Sequence, residues 1–573
     1  MILRKNLKNI VNKKQKLLLL FLLISSIILS VFEMIGIGAI GIFVAILSDS
    51  QSFIQKIPFE KIQFFLENIE VDKLIILFGI TLTLIFLFKN LLIIIYNFLE
   101  LKTRNNINLD ISKKIYSNYL YRDISFHNNK NPAELVNIVN SVTNTATQYL
   151  FAIITFVKEI FLIVFLISGL LIINFKFSLY ILVSILLISS LLFISVKNRV
   201  KKLGKEGIEI EKNILKSLNE GLGGIKIIKT LQNYNFFINE FRNLKSKKLD
   251  ILLIVQILTL LPKLFLEIFA VACTTLLTIF LLKSDLTFSQ IIPIITVISI
   301  ILVRMIPSFS NINTGLQHIR YMGSHFDLVS DELEIKIEEN SEKNSKEKIN
   351  IKIDELNSIE LRNLSFSYGK KIILDNVNIE LKKGEFIGLI GRTGTGKTTL
   401  VDMILGLLKP KNGKIIINKI EETNFNALTK FIGYVPQDIY LADCSIMENI
   451  AFGEEENNID IERVKKSLKL SQLDEFIESS SEDILSKVGD RGVRISGGQK
   501  QRIGIARALY RNPKIIIMDE STNSLDSLTE EKFINDVKSI SKEIIVLFIT
   551  HRTSALKFCD KIYKLENCKL TKQ

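Results

Sequence analysis

The run Phe386-Ile387-Gly388-Leu389-Ile390-Gly391-Arg392-Thr393-Gly394-Thr395-Gly396-Lys397-Thr398-Thr399, continued by Leu400–Leu408, decides the reading of this chain. A short apolar strand enters a glycine-rich turn, and a helical stretch leaves it. The turn fits G-x-x-x-x-G-K-[ST] in the strand-then-helix setting the pattern requires. Gly391, Gly394 and Gly396 let backbone N–H groups curl around phosphate oxygens, and the helix start adds a field that favours anions. Thr393, Thr395 and Thr399 belong to the same phosphate-facing stretch. Lys397 brings a point charge to the β- and γ-phosphates, and the Thr398 hydroxyl is placed to ligate Mg2+.

Towards the C-terminus a second apolar strand, Ile515–Met518, ends in Asp519 and Glu520. Asp519 suits the Mg2+, and Glu520 suits the attacking water, as general base or as the group that orients it. Further strands at Ile415–Ile417 and Ile544–Ile549 alternate with helical segments, so residues 359–573 read as one α/β domain. Residues 327–358 are highly charged, lack Pro and Gly, and read as a solvated linker.

The rest of the chain has another character. Hydrophobic residues make up 48% of the 573, with only 27 Gly and 8 Pro, which excludes collagen-like, low-complexity and disordered readings. Cys273, Cys444, Cys559 and Cys568 show no framework spacing, which excludes a disulfide scaffold. Residues 1–330 hold 35 Lys and Arg against 20 Asp and Glu, whereas residues 331–573 hold 38 against 39. The basic excess therefore accompanies the long apolar runs. Six stretches are long enough to span a bilayer: Leu17–Leu47, Leu74–Leu99, Tyr149–Ile173, Phe177–Val196, Ile251–Leu282 and Leu286–Pro307. With the N-terminus inside, the three inside loops carry 25 of those 35 basic residues. That obeys the positive-inside rule and answers the rival explanation of the charge, nucleic-acid binding. The basic residues 1–16 and the long run after them read as a retained first helix, not a cleaved signal peptide.

Apolar residues at helical spacing, such as Ile225, Ile228 and Leu231, read the long inside loops as helical extensions. Phe53–Ile69 reads as a short amphipathic helix near the outer surface, either functional or simply packed on helix ends. Glu33, Lys89, Lys158, Glu159, Lys263, Glu267 and Arg304 fall in or near the apolar spans. Such charges either snorkel towards a helix end or face a wet cavity. Lys158 and Glu159 are adjacent, so a local or interhelical pair is open to them. Lys89, Lys263 and Arg304 around one cavity would favour an anionic substrate group.

Ile495-Ser496-Gly497-Gly498-Gln499-Lys500-Gln501-Arg502 resembles the signature of ATP-binding-cassette (ABC) proteins, with Ile in place of the usual Leu. Other positions match the family in the expected order. Tyr368 resembles the aromatic residue that stacks on adenine. Gln437 resembles the loop residue that senses Mg2+. Val488–Gly492 resembles the exporter-specific loop, Ser524-Leu525-Asp526 the dimer-contact loop, and His551 the switch histidine. Glu220–Lys226 is similar to the inside-loop region of six-helix exporters. The resemblance implies a half-transporter: an all-α six-helix transmembrane domain (1–326), the linker, and an α/β P-loop ABC ATPase domain (359–573). It also implies ATP and Mg2+, and a second identical or similar chain whose Ser496, Gly497, Gly498 and Gln499 complete the site in trans. The expected location is the inner membrane, multi-pass, with the nucleotide domain and N-terminus in the cytoplasm.

A narrower resemblance bears on cargo. The segments around Lys89, Lys263 and Arg304 are similar to those of bacterial lipid-linked-oligosaccharide flippases, where basic residues are proposed to attract a lipid pyrophosphate. The expected partners are therefore membrane lipids and an amphipathic or lipid-linked anionic substrate. Alternatives are an exporter of drug, lipid or peptide cargo, an ATP-gated regulator, or a soluble-type ATPase acting on DNA. Intact Glu520 and His551 oppose the regulator, and the spans oppose the DNA reading. The lack of a protease-like segment before the first helix lowers the peptide-processing version.

Overall fold

Apolar runs much longer than a soluble core needs become long helices in the computed structural model of the chain. The structure describes all residues except 1–9, 56–57, 59, 174–182, 184–198, 200–201, 205, 208, 284–287, 335–355, 423–424, 474–482, 490–491, 521–526 and 542. The described residues divide into two units, 1–121 with 130–338 and 122–129 with 339–573.

The first unit is helical: α1 (Lys13–Ser48), α2 (Ser50–Gln55), α3 (Glu60–Glu67) and α4 (Val71–Leu120). After α5 (Ile124–Asn129), which groups with the second unit, come α6 (Pro132–Asn137), a π-turn at Ile138–Val142 and α7 (Thr143–Ile173). Then follow α8 (Ile225–Leu231), α9 (Tyr234–Leu282) and α10 (Phe288–Glu334). Five described stretches are long and apolar enough to cross a membrane: Lys13–Ser48, Val71–Leu120, Pro132–Leu171, Tyr234–Leu282 and Ile291–Arg320. The expected span Phe177–Val196 lies, but for Val183, outside the described residues. The 50 residues of α4 reach about 75 Å at ~1.5 Å per residue, well beyond a ~30 Å hydrocarbon core. The helix runs on past its apolar part, as the inside-loop pattern requires. Likewise α10 continues to Glu334, so residues 327–334 are helix where the charge pattern reads as linker. Charged residues at i, i+4 spacing are compatible with a solvated helix, and charge density alone cannot separate the two.

Ile37 of α1, Leu162 and Leu166 of α7, Leu277 of α9 and Leu302 of α10 share one buried cluster. The amphipathic segment packs on helix ends. It forms α2 and α3, and Ile54 and Leu66 bury with Ile46 and Leu74 at the ends of α1 and α4. The π-turn frees a carbonyl from the helical ladder, and Ser112 Oγ on α4 donates to Val139 O at 3.0 Å.

The second unit holds two sheets. One contains β1 (Ser358–Tyr368), β2 (Lys371–Lys382), β4 (Asn412–Ile417) and β5 (Ile420–Glu422), in the antiparallel order β2-β1-β4-β5. The other is built on β3 (Phe386–Ile390), β6 (Ile432–Val435), β7 (Ile515–Asp519), β8 (Ile545–Ile549), β9 (Lys561–Glu566) and β10 (Lys569–Lys572), in the order β10-β9-β3-β8-β7-β6. From β9 to β6 this sheet is parallel. Its central strands β7 and β8 are buried at every residue, which is why they read as unbroken apolar runs. Around the sheets lie α11 (Lys397–Ile404), α12 (Ile446–Ile450), α13 (Ile461–Leu470), α14 (Gly497–Tyr510), α15 (Ser527–Ser541) and α16 (Thr553–Leu556). Ile124 of α5 packs against the core of this unit.

Candidate nucleotide site

Strand register assembles the site. Val435 pairs with Met518, Asp519 with Ile549, and Leu389 with Ile549. The residues just beyond these pairs, Gln437, Glu520, His551 and the loop from Gly391, therefore emerge side by side at the carboxyl ends of parallel strands. That is where open α/β sheets bind ligands.

The side chains meet there. Gln437 Nε2 donates to Glu520 Oε2 at 3.1 Å, and His551 Nε2 lies 3.0 Å from Glu520 Oε1. Lys397 Nζ lies 3.2 Å from His551 Nε2 and donates to the carbonyls of Gly391 at 2.8 Å and Arg392 at 3.2 Å. Glu520 sits at φ 47°, a left-handed conformation uncommon for a non-glycine residue and typical of strained functional positions.

The loop is shaped by close approach. At Gly396, φ is 106° and a Cβ would stand 2.7 Å from Ile373 Cγ2. At Gly391 a Cβ would stand 2.6 Å from Leu565 O, so the hairpin β9–β10 backs the loop. Gly396 caps α11, which places Lys397, Thr398 and Thr399 in its first turn. Lys397 and Thr399 are buried, whereas Thr398 is exposed.

Burial pushes the Lys397 ammonium below its usual range, against the pull of Glu520 and Asp519. Burial likewise raises the Asp519 carboxyl, helped by Glu520 and opposed by Lys397 and His551. Two neighbours escaped the sequence reading. Asp402 is pushed up to about 6 by burial and by Asp519, and the Tyr434 hydroxyl is raised by burial and by both carboxylates. Asp402 stands four residues after Thr398, so helical spacing was its available signal.

Among the described residues no group of three or more His, Cys, Asp or Glu could hold a metal. The oxygen donors are a hydroxyl in the first turn of α11 (Thr398), the amide of Gln437 beside Glu520, and the carboxylates of Asp519 and Glu520, a set that suits Mg2+ completed by phosphate and water.

The signature lies elsewhere in the unit. Ser496 is the N-cap of α14: its Oγ accepts from Gln499 N at 3.3 Å, and Ser496 N donates to Gln499 Oε1 at 2.8 Å. Gly497 and Gly498 open that helix, which leaves an exposed N-terminus suited to an anion. Among the described residues, no hydrogen bond or ion pair joins Ser496–Gln499 to Lys397, His551 or Glu520. Tyr368 is exposed at the end of β1, edge-on to Phe366 at 4.9 Å. Ser524 and Asp526 lie outside the described residues, as do Asp490 and Arg491.

In the membrane unit the charges have partners that the apolar runs did not reveal. Arg304 on α10 pairs with Glu33 on α1. Lys263 lies 4.0 Å from Glu267, and Lys89 Nζ lies 4.5 Å from the Phe86 ring centroid. Adjacent residues point apart on a helix. Accordingly Glu159 accepts from Asn311 at 3.1 Å, while Lys158 lies 5.8 Å from the Tyr96 ring centroid.

Residues 374–523 match the family described as ABC transporter, and residues 16–305 match the ABC transporter transmembrane region. The chain is 30% identical over 492 residues to an export ATP-binding/permease protein of Rickettsia typhi, covering 80% of each. It is 37% identical over 249 residues to ABC transporter B family member 29, chloroplastic, of Arabidopsis thaliana, covering 43% of this chain and 38% of that one. A bacterial Atm1-family ABC exporter solved with ATP bound shares the fold, with a TM-score of 0.70 at 18% identity over 93% of both chains. A membrane region and a nucleotide-binding region joined in one polypeptide define the assignment: the chain belongs to the ABC transporter family, as an exporter half-transporter whose transport is coupled to ATP hydrolysis.

Proposed function

We propose that two copies of this chain form an ATP-driven exporter or flippase for an amphipathic anionic substrate, a lipid-linked oligosaccharide being the specific candidate. The observation that carries the ATPase half is the run of contacts at hydrogen-bonding distance from Lys397 through His551 and Glu520 to Gln437. Lys397 now spends its donors on loop carbonyls, and an incoming triphosphate takes them over. The N–H groups of Gly391–Thr399 cradle the phosphates, and Tyr368 stacks on the base. Glu520, held from both sides by Gln437 and His551, accepts the proton of the attacking water, and His551 steadies the γ-phosphate. Thr398, Gln437 and Asp519 would hold Mg2+, which when bound neutralises phosphate charge.

Ser496 and Gln499 do not reach Lys397 in their own chain, so the partner's signature supplies the remaining donors. Hydrolysis then depends on closure of the pair, with Ser524 and Asp526 at the contact. Alternating access follows from that closure. The orientation in the inner membrane rests on the basic inside loops. The cargo half rests on Lys89, Lys263 and Arg304, three cations within apolar spans.

In nanodiscs, Glu520→Gln should lower ATP turnover by at least about a hundredfold and preserve ATP-driven closure. Normal turnover would show that the general base is elsewhere. Neutralising Lys89, Lys263 and Arg304 together should abolish stimulation by a polyprenyl pyrophosphate. Unchanged stimulation would leave the exporter with another cargo.

A further inference from the structure

We infer that Glu33 is a built-in competitor of the cargo: its carboxylate occupies Arg304 while the station is empty and returns to it when the anion leaves. This rests on the anionic-cargo reading above and adds the residue that sets affinity and release. Arg304 and Glu33 lie on two membrane-spanning helices, α10 and α1. The carboxylate meets the guanidinium at Nη2, whereas the buried Arg304 Nε has no hydrogen-bond partner among the described residues. A guanidinium is built for two parallel bonds, and this pair uses one edge incompletely. A phosphate oxygen pair could satisfy Nη2 and Nε together. The Glu33 side chain is 13% exposed and that of Arg304 40%, so the cation is the more accessible partner.

Lys89 adds a second cation one turn away. Gly36 lies one turn beyond Glu33 on α1, and a Cβ there would stand 3.9 Å from Lys89 Cδ and 3.5 Å from Phe86 Cε2. The rings of Phe32 and Phe88 pack edge-on at 5.9 Å and fix α1 against α4 at this level. Lys89 of α4 thus stands one turn along α1 from the Arg304–Glu33 pair, with its Nζ over the Phe86 ring. The surplus positive charge favours an anion where water is scarce, and Lys263 has its own carboxylate in Glu267. A neutral amphipath offers nothing to replace the carboxylate and leaves the pair closed.

The test uses full-length protein in nanodiscs, a long-chain polyprenyl pyrophosphate, and the matching polyprenol as neutral control. The chain has no Trp, so a Phe88→Trp reporter reads binding in the absence of nucleotide, and ATPase stimulation reads turnover. Glu33→Gln should lower the half-saturating pyrophosphate concentration about tenfold, the worth of one charged hydrogen bond, and also lower the maximal stimulated rate, because release slows. Arg304→Gln should raise that concentration by a similar factor, and adding Glu33→Gln to it should recover part of the loss by removing an unpaired carboxylate. Glu33→Asp, which keeps the charge but shortens its reach, should move the same way as Glu33→Gln by less, and it serves if the Gln variant fails to assemble. Shifts of the same sign for Glu33→Gln and Arg304→Gln, or no shift for either Glu33 variant, would reduce the pair to a staple between helices and overturn the inference. The cargo reading would then still stand if wild type prefers pyrophosphate to alcohol, whereas no such preference in wild type overturns both.

Discussion

Replacing Arg552 by Met should cost the nucleotide unit about 3 kcal/mol, because it removes a cation paired with a buried carboxylate. Arg552 Nη1 lies 3.0 Å from Glu530 Oε2, and the Glu530 side chain is 4% exposed against 35% for Arg552. At an effective dielectric of about 20, unit charges at that distance attract by about 5 kcal/mol. Breaking a buried pair by removing one partner costs ~3–5 kcal/mol. The partial exposure of Arg552 puts the expectation at the lower end. For a domain of this size, a loss of about 3 kcal/mol lowers the unfolding midpoint by roughly 6–12 °C. Thermal unfolding of the full chain, followed at the nucleotide-unit transition, measures it. Adding Glu530→Leu should restore at least half of the loss, since an apolar pair of similar volume is close to neutral. A midpoint shift below about 2 °C, or a double variant as unstable as the sum of the singles, would refute the reasoning. The pair also ties the residue after His551 to the first turn of α15, which follows residues 521–526. Arg552→Met should therefore lower kcat while leaving the KM for ATP within about twofold.

Two further expectations concern the loop and its surroundings. Gly396→Ala forces a side chain into φ 106° and into Ile373; it should cost about 2 kcal/mol and weaken ATP binding, measured by equilibrium nucleotide binding and thermal unfolding. Asp402→Asn should change the pH dependence of stability in Mg2+-free buffer. The Asp402 carboxyl is raised from 3.8 to about 6 in the folded unit, chiefly by burial. Its contribution is therefore complete below pH 3.8 and lost as pH rises through 6. The variant should gain on wild type between those limits and hold a constant advantage above them, and a difference independent of pH would remove Asp402 from the account.

Much of the site was legible because its motifs are local. Gly391–Thr399 and Asp519–Glu520 each carry their pattern in a few consecutive residues, and the flanking apolar runs identify the strands. Asp402 was missed because its significance lies in what crosses its helix face, Asp519 and Tyr434, which are far away in the chain. The membrane charges show the same limit. Glu33 and Arg304 are 271 residues apart, and no spacing rule connects them. Nor does charge density distinguish linker from helix at residues 327–334, where α10 continues.

By itself the sequence determined the two-part organisation, the membrane-spanning character of the first part and the strand–turn–helix setting of the glycine-rich loop. Length, apolar content and glycine placement act over a few neighbouring residues and need no partner to be read. The tertiary structure decided which strand ends stand abreast, and so which of Gln437, Glu520 and His551 touch. It also decided which intramembrane cations carry a counter-ion. Those facts depend on strand register and helix packing, in which distant segments settle by burying apolar area and leaving as few charges as they can without a partner.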